Sequence, residues 1–271
     1  MIHLLLPMAT TKMRFSSNDS GKAGRRPTRR AAAPAPVEAG AGLTLDRFDD
    51  VRSAFAVRGD EMRVHKGRSV VAVSIGGTTH YLKRFWLTPS QIFQRHVARG
   101  LHEMRMIDWL NRSGFAGPKI VRGGRAGSFM CMTRVFFLME EVPNEWPLEA
   151  AWRKFADQGE RMVSELACFA ARLHDAGFIH TDFSERHILV GRRGEGWSFR
   201  LIDLERARQG RPDLERAAAD LATLAASISD EDLRGRIEGD LLADYVAHRK
   251  TLPREVDFPS LVAAAKPTKS F

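Results

Sequence analysis

The chain has 271 residues, of which 44% are hydrophobic and 28% charged, a composition that is ordinary for one large globular domain or a two-lobed one. Its two cysteines, Cys131 and Cys168, are too few for a disulfide scaffold and match no metal-ligand spacing, so a reducing compartment is expected. No run approaches the roughly 20 apolar residues of a membrane-spanning helix, so we expect a cytoplasmic protein that contacts a membrane only from its surface.

The formal net charge of +9 is concentrated at the N-terminus. Residues 1–40 contain seven Lys/Arg and two acidic residues, which gives this segment a net charge of +5. The segment is rich in Gly, Pro, Ala, Arg and Ser and has no hydrophobic periodicity, so it is predicted to be a disordered basic arm. Such an arm suits an anionic surface, either phospholipid headgroups or nucleic acid, and a solvated tail without a role is the alternative.

From about residue 41 the pattern changes to strands. Met62–Val64 and Ser69–Ile75 are rich in β-forming residues and flank a turn at 65–68, and Thr79–Phe85 follows a Gly-Gly turn. Helical spacing of apolar residues over 101–111 then predicts a helix that Gly114 ends, and Lys119–Gly123 and Ser128–Met139 are predicted as further strands. Residues 41–142 are therefore predicted to form an antiparallel sheet with one helix.

The remainder of the chain is mainly helical in pattern. An apolar stripe from Val163 to Leu173 predicts a helix ended by Gly177. A hairpin is predicted next, with strands 188–190 and 197–202 around a Gly- and Arg-rich turn at 191–196. A helix from Leu214 to Ile228 and more helix to about His248 complete the segment 143–250, and residues 251–271 form a C-terminal tail. The fold class is α+β, with a sheet-rich part followed by a helical part.

Three polar side chains surround this hairpin in the sequence. Asp182 and His187 lie in the loop after the long helix, and Asp203 follows the second strand of the hairpin. Because the hairpin folds the chain back on itself, we expect Asp203 to return beside that loop. Phosphoryl transfer requires a metal ion held on phosphates and a carboxylate directed at the attacking hydroxyl, and this grouping can supply both.

The order His-x-Asp, four residues, a metal ligand, a hairpin and Asp resembles the catalytic loop and metal-binding aspartate of protein kinases. The likeness is strongest to the lipopolysaccharide-core kinases, the Kdo/heptose kinase family of Gram-negative bacteria, and covers roughly residues 45–250. It implies a protein-kinase-like two-lobed fold with Asp182 as the catalytic base. It also implies that His187, in the place of a metal-binding Asn, and Asp203 hold Mg²⁺.

The resemblance extends upstream in the same order. Lys83 in the third strand looks like the lysine that holds the ATP phosphates, and Glu103 in the next helix like its ion-pair partner. Residues 140–142 resemble the hinge between lobes, whose backbone at Glu140 and Val142 would hydrogen-bond adenine. Asp220 resembles the aspartate that braces the catalytic loop.

Two departures from the protein-kinase pattern bear on the substrate. The phosphate-covering loop has a single glycine, Gly67, so side-chain donors from Lys66, Arg68 and Ser69 would replace backbone contacts, unless the loop is an exposed basic turn. After Asp203 only a short stretch precedes the Asp220 helix, and the peptide-docking segment of protein kinases is missing. That absence favours a glycan or small-molecule acceptor, with Arg206 and Arg208 as candidate contacts to an anionic acceptor.

The resemblance therefore implies a kinase that uses ATP and Mg²⁺ to phosphorylate a sugar hydroxyl of a glycolipid, with Kdo or heptose of the lipopolysaccharide inner core as the favoured acceptor. It would act at the inner face of the inner membrane, where the basic arm would contact anionic lipid. A kinase of a soluble small molecule, similar to aminoglycoside phosphotransferases, and an inactive kinase-like binding module are the alternatives. Nucleic-acid binding rests on the basic arm alone and is not expected. The spacing of His174, His180 and His187 does not favour zinc.

Overall fold

The computed structural model describes residues 37–38, 42–65, 67–87, 96–128 and 131–267. Lys66, with its predicted phosphate contact, and most of the basic arm, with its predicted disorder, lie outside the described residues. Of the arm, only the two-residue strand β1, Val37–Glu38, is described, and it pairs in parallel with β2, Val57–Arg58. No helix in the described ranges is both long and apolar enough to cross a membrane.

The first lobe is built on a five-stranded antiparallel sheet. Its strands, in spatial order, are β3 (Asp60–His65), β4 (Arg68–Ile75), β5 (Thr78–Trp86), β7 (Cys131–Glu140) and β6 (Lys119–Ser128). Residues of β4 alternate between the two faces, with Val71 and Val73 buried. The predicted strands are confirmed, with one correction: Ser128 ends β6 instead of beginning β7, which starts at Cys131.

Both faces of this sheet are covered. On one face, the 3₁₀-helix Leu45–Phe48 contacts β6 and α1 (Val51–Ala56) contacts β6 and β7, and Phe48 and Ala54 join the core cluster that contains Val71. On the other face lies α2 (His96–Arg112), which buries Met104, Ile107 and Leu110 at helical spacing. Gly114, at φ +80°, turns the chain after this helix, as its position in the sequence predicts.

The second lobe is mainly helical. Its helices are α3 (Leu148–Lys154), α4 (Gly159–Asp175), α5 (Leu214–Ser227), α6 (Glu231–Arg236), α7 (Leu242–His248) and α8 (Phe258–Ala264), with a π-helical turn at Ile237–Leu241 and 3₁₀ turns at Ala156–Gln158 and Glu185–His187. Its short strands are β8 (Glu145–Pro147), β9 (Phe178–Ile179), β10 (Ile188–Arg193), β11 (Gly196–Leu201) and β12 (Arg208–Gln209). The predicted sheet-then-helix order is confirmed.

The hairpin and the C-terminal segment differ in detail from the sequence prediction. Strand β10 runs to Arg193 and β11 begins at Gly196, so the hairpin turn is shorter than the predicted 191–196. Within the segment predicted as a tail, α8 packs on α5 and buries Phe258 completely. The seven residues of α8 are too few for their periodicity to stand out in the sequence.

Candidate active site

A buried lysine joins the two lobes. Lys83 lies on β5, and its Nζ is 2.8 Å from Oε2 of Glu103 on α2. The same Nζ is 3.0 Å from Oδ1 of Asp203 and 3.0 Å from Oε1 of Glu205, both in the segment after β11. Lys83 is 6% exposed and Glu103 1% exposed, so these charges interact with little screening by water. The predicted Lys83–Glu103 pair is therefore present, together with two further carboxylates.

The pKa values of this cluster show which charges dominate. Burial alone lowers the pKa of Lys83, but Glu103, Asp203 and Glu205 outweigh burial and raise it well above its ordinary value. Burial raises the pKa of Glu103 to about 7 because Lys83 compensates only part of the cost of a buried carboxylate. Burial alone also raises the pKa of Asp203, yet the charge of Lys83 holds it well below its usual range. Lys83 and Asp203 are thus both charged at neutral pH.

Glu205 is a site residue that the sequence analysis did not single out. It is buried, and its second oxygen, Oε2, accepts a hydrogen bond of 2.7 Å from Nη1 of Arg68, the first residue of β4. Glu205 thereby ties the start of β4 in the first lobe to the segment that follows Asp203. The available signal was its position: an acidic residue two places after the aspartate that resembles a metal ligand.

The loop that carries Asp182 is fixed by backbone hydrogen bonds to one buried aspartate. Asp220 on α5 accepts from the backbone N–H of His180 at 2.7 Å and from that of Thr181 at 2.8 Å. Nε2 of His180 lies 3.0 Å from the carbonyl oxygen of Ile202, which fastens the loop to the end of the hairpin. These contacts support the predicted scaffold roles of His180 and Asp220, because neither side chain remains available to a substrate.

Backbone strain is concentrated at this junction. Thr181 has φ +62° and Asp203 has φ +57°, a region that non-glycine residues rarely occupy. The hydroxyl of Thr181 donates to the carbonyl oxygen of Arg206 at 2.8 Å, and the side chain of Asp203 is held by Lys83. The surrounding contacts hold both strained residues in place, which is common at functional sites.

The predicted convergence of Asp182, His187 and Asp203 is present. Nδ1 of His187 lies 2.9 Å from the carbonyl oxygen of Asp182 and 3.7 Å from its Oδ2, while Nε2 of His187 lies 3.8 Å from Oδ2 of Asp203. A carbonyl oxygen only accepts, so this contact is a hydrogen bond only when Nδ1 carries a proton, and in that neutral tautomer the lone pair lies on Nε2. One imidazole nitrogen and one carboxylate oxygen therefore face each other, a donor set that suits a divalent cation.

The turn between β3 and β4 requires one correction. Gly67, at φ +80°, makes the tight turn, and its carbonyl accepts from the backbone N–H of Trp86 at 2.9 Å. The hydroxyl of Ser69 does not face the cleft: the side chain is buried on the opposite face of the sheet and accepts from Nε of Arg84 at 3.0 Å. Alternation along β4 explains this, because neighbouring residues point to opposite faces. Arg68, which forms an ion pair with Glu205, lines the cleft beside Asp203.

The predicted hinge follows β7. Glu140 ends that strand, where it is paired with His80 of β5 and Lys119 of β6, and its side chain forms an ion pair with Lys119 at the surface. The backbone N–H of Glu141 donates to the carbonyl oxygen of Thr79 at 3.0 Å, so it is already occupied. Val142 follows in the half-buried segment between the lobes.

Arginines surround the space in front of the catalytic loop. A cleft of about 270 Å³ is lined by Asp182, Asp203 and Glu205 together with five arginines, namely Arg63, Arg68, Arg99, Arg186 and Arg206. Arg208, the second predicted acceptor contact, does not line this cleft. It lines a neighbouring one, in which Arg206 also takes part.

The family and a solved structure match this arrangement. The family model described as "Lipopolysaccharide kinase (Kdo/WaaP) family" matches residues 56–245, which contain every residue of the Lys83 cluster and of the loop that carries Asp182. No curated protein sequence matches the chain significantly. A solved structure described as "WaaP in complex with acyl carrier protein" superposes with a TM-score of 0.60 at 22% identity over 78% of this chain and 87% of that chain, which confirms the predicted protein-kinase-like fold. The chain belongs to the lipopolysaccharide kinase (Kdo/WaaP) family and is a phosphotransferase that acts on a sugar hydroxyl.

Proposed function

We propose that the protein transfers the γ-phosphoryl group of ATP to a sugar hydroxyl of a glycolipid, with Kdo or heptose of the lipopolysaccharide inner core as the acceptor. The observation that carries this proposal is the meeting of Asp182, His187 and Asp203 beside a lysine shared by both lobes. A carboxylate facing a cleft, next to a cation site and a fixed ammonium group, is what phosphoryl transfer needs from a protein.

Each residue has a distinct task in this reaction. Asp182 accepts the proton of the acceptor hydroxyl and aligns its oxygen for attack. Lys83, kept charged by its three carboxylate partners, holds phosphate oxygens of the nucleotide, and Glu103 fixes its direction. Arg68 at the covering turn supplies a second cation to the phosphates, and the backbone of Glu140 and Val142 would receive the adenine.

The divalent cation would be held by Oδ2 of Asp203 and Nε2 of His187. When bound, Mg²⁺ supplies charge neutralisation on the phosphates. The fit rests on the hydrogen bond from Nδ1 of His187 to the carbonyl oxygen of Asp182, which orients the ring and leaves Nε2 directed at Asp203. Second-sphere bonds of this kind are what position metal-binding imidazoles.

The short segment between Asp203 and α5, and the arginines of the cleft, support a glycan acceptor over a peptide. Only ten residues separate Asp203 from the first residue of α5, Leu214, and part of that stretch is the strand β12. No room remains there for a long peptide-docking segment. The five arginines of the cleft offer charged donors to an anionic glycan.

The decisive test is transfer of labelled γ-phosphate from Mg-ATP to intact and deacylated lipopolysaccharide. Wild-type protein should label the glycan, and Asp182→Asn and Asp203→Asn should each reduce the rate by roughly 10²- to 10⁴-fold. Asp157→Asn, on an exposed 3₁₀ turn, is the matched control and should retain the wild-type rate. Bound ATP with no labelled glycan from any variant would refute the glycolipid acceptor, and labelled soluble sugars or aminoglycosides would identify a small-molecule kinase instead.

The basic arm gives the proposal a second part, peripheral attachment to the inner face of the inner membrane. Residues 1–40 carry a net charge of +5, and each basic residue near an anionic surface contributes about 1 kcal/mol of attraction. Deleting residues 1–40 should therefore weaken sedimentation with phosphatidylglycerol-containing vesicles while leaving transfer to deacylated lipopolysaccharide unchanged. Equal sedimentation of the two proteins would exclude the arm as the membrane contact.

A further inference from the structure

A second cleft lies next to the one that holds Asp182. It encloses about 560 Å³ and shares Arg99, Glu205 and Arg206 with the first cleft. Its remaining polar lining comes from His102, Thr181, Arg208, Arg216 and Asp220. We call this space the arginine groove. Because Arg99 and Arg206 border both spaces, a molecule that reaches Asp182 in the first can extend into the groove.

The arginine groove has positive charge without matching negative charge. Of its four arginines, Arg216 is paired, with Asp213 at 3.2 Å, whereas Arg99, Arg206 and Arg208 take part in no salt bridge among the described residues. The two carboxylates of the lining are already engaged. Glu205 is held by Arg68 and Lys83, and Asp220 is held by backbone N–H groups of the catalytic loop.

Both lobes contribute to the groove. Arg99 and His102 lie on α2 of the first lobe, and Arg206 and Arg208 lie in the segment after Asp203 in the second. Nε2 of His102 is 2.6 Å from the carbonyl oxygen of Ala207, so the two walls are joined by a hydrogen bond at the base of the groove. An anion bound between the walls would add a second link between α2, which carries Glu103, and the segment that carries Glu205.

We propose that the arginine groove binds a carboxylate or phosphate group of the acceptor while the reacting hydroxyl lies at Asp182. The proposal rests on the proposed function for the identity of the acceptor, but the anion site itself follows from the groove. Guanidinium groups match carboxylate and phosphate oxygens with paired hydrogen bonds, and several arginines around one space recognise an anion rather than a neutral sugar. The substrate class is therefore a sugar that already bears an anionic group near the hydroxyl to be phosphorylated.

The binding test uses three simple sugars with the full-length protein at low ionic strength, where exposed charges are least screened. Glucose, glucuronate and glucose 6-phosphate are titrated calorimetrically, so that a carboxylate and a phosphate are compared with a neutral ring. We expect one or both anionic sugars to bind at least about tenfold more tightly than glucose. The Arg99→Ala/Arg208→Ala variant should lose roughly tenfold in affinity for that sugar.

Two further variants make the test specific. Arg193→Ala/Arg254→Ala removes the same charge from two exposed arginines that lie outside the groove and outside the salt bridges of the described residues, so its affinity should stay within about twofold of wild type. Arg208→Lys keeps the charge but not the planar fork, and should lose less affinity than Arg208→Ala. Equal melting temperatures of all variants would show that folding is unaffected.

The outcomes separate this inference from the proposed function. Equal affinity for the three sugars, or equal affinity of wild type and Arg99→Ala/Arg208→Ala, would overturn the anion site even if lipopolysaccharide is phosphorylated. Anion binding that depends on Arg99 and Arg208, without label transfer to lipopolysaccharide, would support the site and reject the glycolipid acceptor. A preference for glucuronate over glucose 6-phosphate would identify a carboxylate as the bound group, and the reverse preference a phosphate.

Discussion

The buried cluster around Lys83 and the arginine groove are neighbouring charged regions that are organised in opposite ways. Around Lys83, three carboxylates surround a buried ammonium group, and Arg68 forms an ion pair with one of them, Glu205. In the arginine groove, by contrast, exposed guanidinium groups face open space, and three of the four have no acidic partner among the described residues. The boundary between the regions is Glu205, which belongs to both.

One site thus combines charges whose arrangement is fixed by folding with charges that await a ligand. Charges in the buried cluster neutralise each other, so its geometry is set by folding and is ready before any ligand arrives. Charges in the groove repel each other until an anion enters, so binding there gains electrostatic energy from the ligand itself. The following predictions test this division of the site between charges fixed by folding and charges that await a ligand.

Replacing the central lysine should have the largest effect. Lys83→Met leaves the buried Glu103 without a counter-charge and removes the shared cation from Asp203 and Glu205, and breaking a buried ion pair in this way costs about 3–5 kcal/mol of unfolding free energy. Urea unfolding at pH 7 measures the loss. Lys250→Met, at an exposed position, is the matched control and should unfold like wild type. An unchanged midpoint for Lys83→Met would show that the carboxylates are not charged in the folded protein.

The same variant should have a pH dependence with a definite sign. Burial already raises the pKa of Glu103 to about 7 in the presence of Lys83, and loss of the lysine raises it further. A folded-state pKa above the unfolded value means that folding takes up protons, so stability falls as pH rises from about 4.5 through the folded-state pKa. Lys83→Met should therefore regain unfolding free energy between pH 8 and pH 5, by about 1.4 kcal/mol for each pKa unit of the shift. Parallel pH profiles for wild type and variant would contradict this.

Asp220→Asn should have the next largest effect on stability. The carboxylate accepts from two backbone N–H groups of the catalytic loop, and an amide can accept from only one of them with its oxygen. One buried N–H then loses its partner, at a cost of about 1–3 kcal/mol. Thermal unfolding measures the cost, and hydrogen exchange at His180 and Thr181 should accelerate. Slow exchange at both amides in the variant would show that the loop is held by other contacts.

Glu205→Gln should alter the boundary between the regions with a smaller effect. The variant removes one of three negative charges from the cluster but keeps the shape of the side chain, so the phosphates of ATP meet less repulsion. We expect ATP to bind roughly fivefold more tightly, about 1 kcal/mol, in a titration without acceptor. Weaker binding would indicate instead that Glu205 helps to hold a cation, because its carboxylate lies within 4.8 Å of those of Glu103 and Asp203.

Salt should affect the two regions differently, and this test requires no mutation. Raising sodium chloride from about 50 mM to about 500 mM shortens the screening length from roughly 14 Å to roughly 4 Å. Binding of an anionic sugar in the exposed groove should weaken several-fold, whereas the contribution of the buried Lys83 cluster to stability should remain. The difference in unfolding free energy between wild type and Lys83→Met, measured at both salt concentrations, checks the second half. A salt-sensitive difference would mean that water reaches the cluster.

Most of the fold is predictable from the sequence because its elements carry strong local patterns. The alternation in β4 and the apolar stripe of α4 each bury one face, and glycines at 114 and 177 end the helices that precede them. The short elements escape prediction for a physical reason. Six residues in α1 and seven in α8 complete fewer than two turns, and their place in the structure is set by packing against distant parts of the chain.

The residues of the site likewise divide into those that local sequence patterns predict and those that they do not. Asp182, His187 and Asp203 are predictable because one loop and one hairpin bring them together, a short-range relation that spacing reveals. Ser69 is mispredicted because the residues that follow it, Val70 to Val73, are apolar on both faces of the strand, so the sequence does not show which face is buried. Its contact with Arg84 depends on pairing between β4 and β5. For Glu205, Arg206 and Arg208 the sequence gives only their position just after Asp203. Their contacts with Lys83, Arg68 and the α2 wall of the groove depend on the approach of the two lobes.

The attachment of β12 to the end of α4 has a consequence for evolvability. A methyl group added at Gly177 would lie 1.9 Å from the carbonyl oxygen of Gly210, and the backbone N–H of Gly210 donates to the carbonyl of Gly177 at 2.9 Å. The segment after Asp203 is thus anchored by main-chain atoms, and the side chains at 206 and 208 contribute little to that anchor. With the proposed anion site, substitutions at these two positions would change which acceptor is bound while the main-chain anchor stays in place, so specificity could change without a penalty in folding.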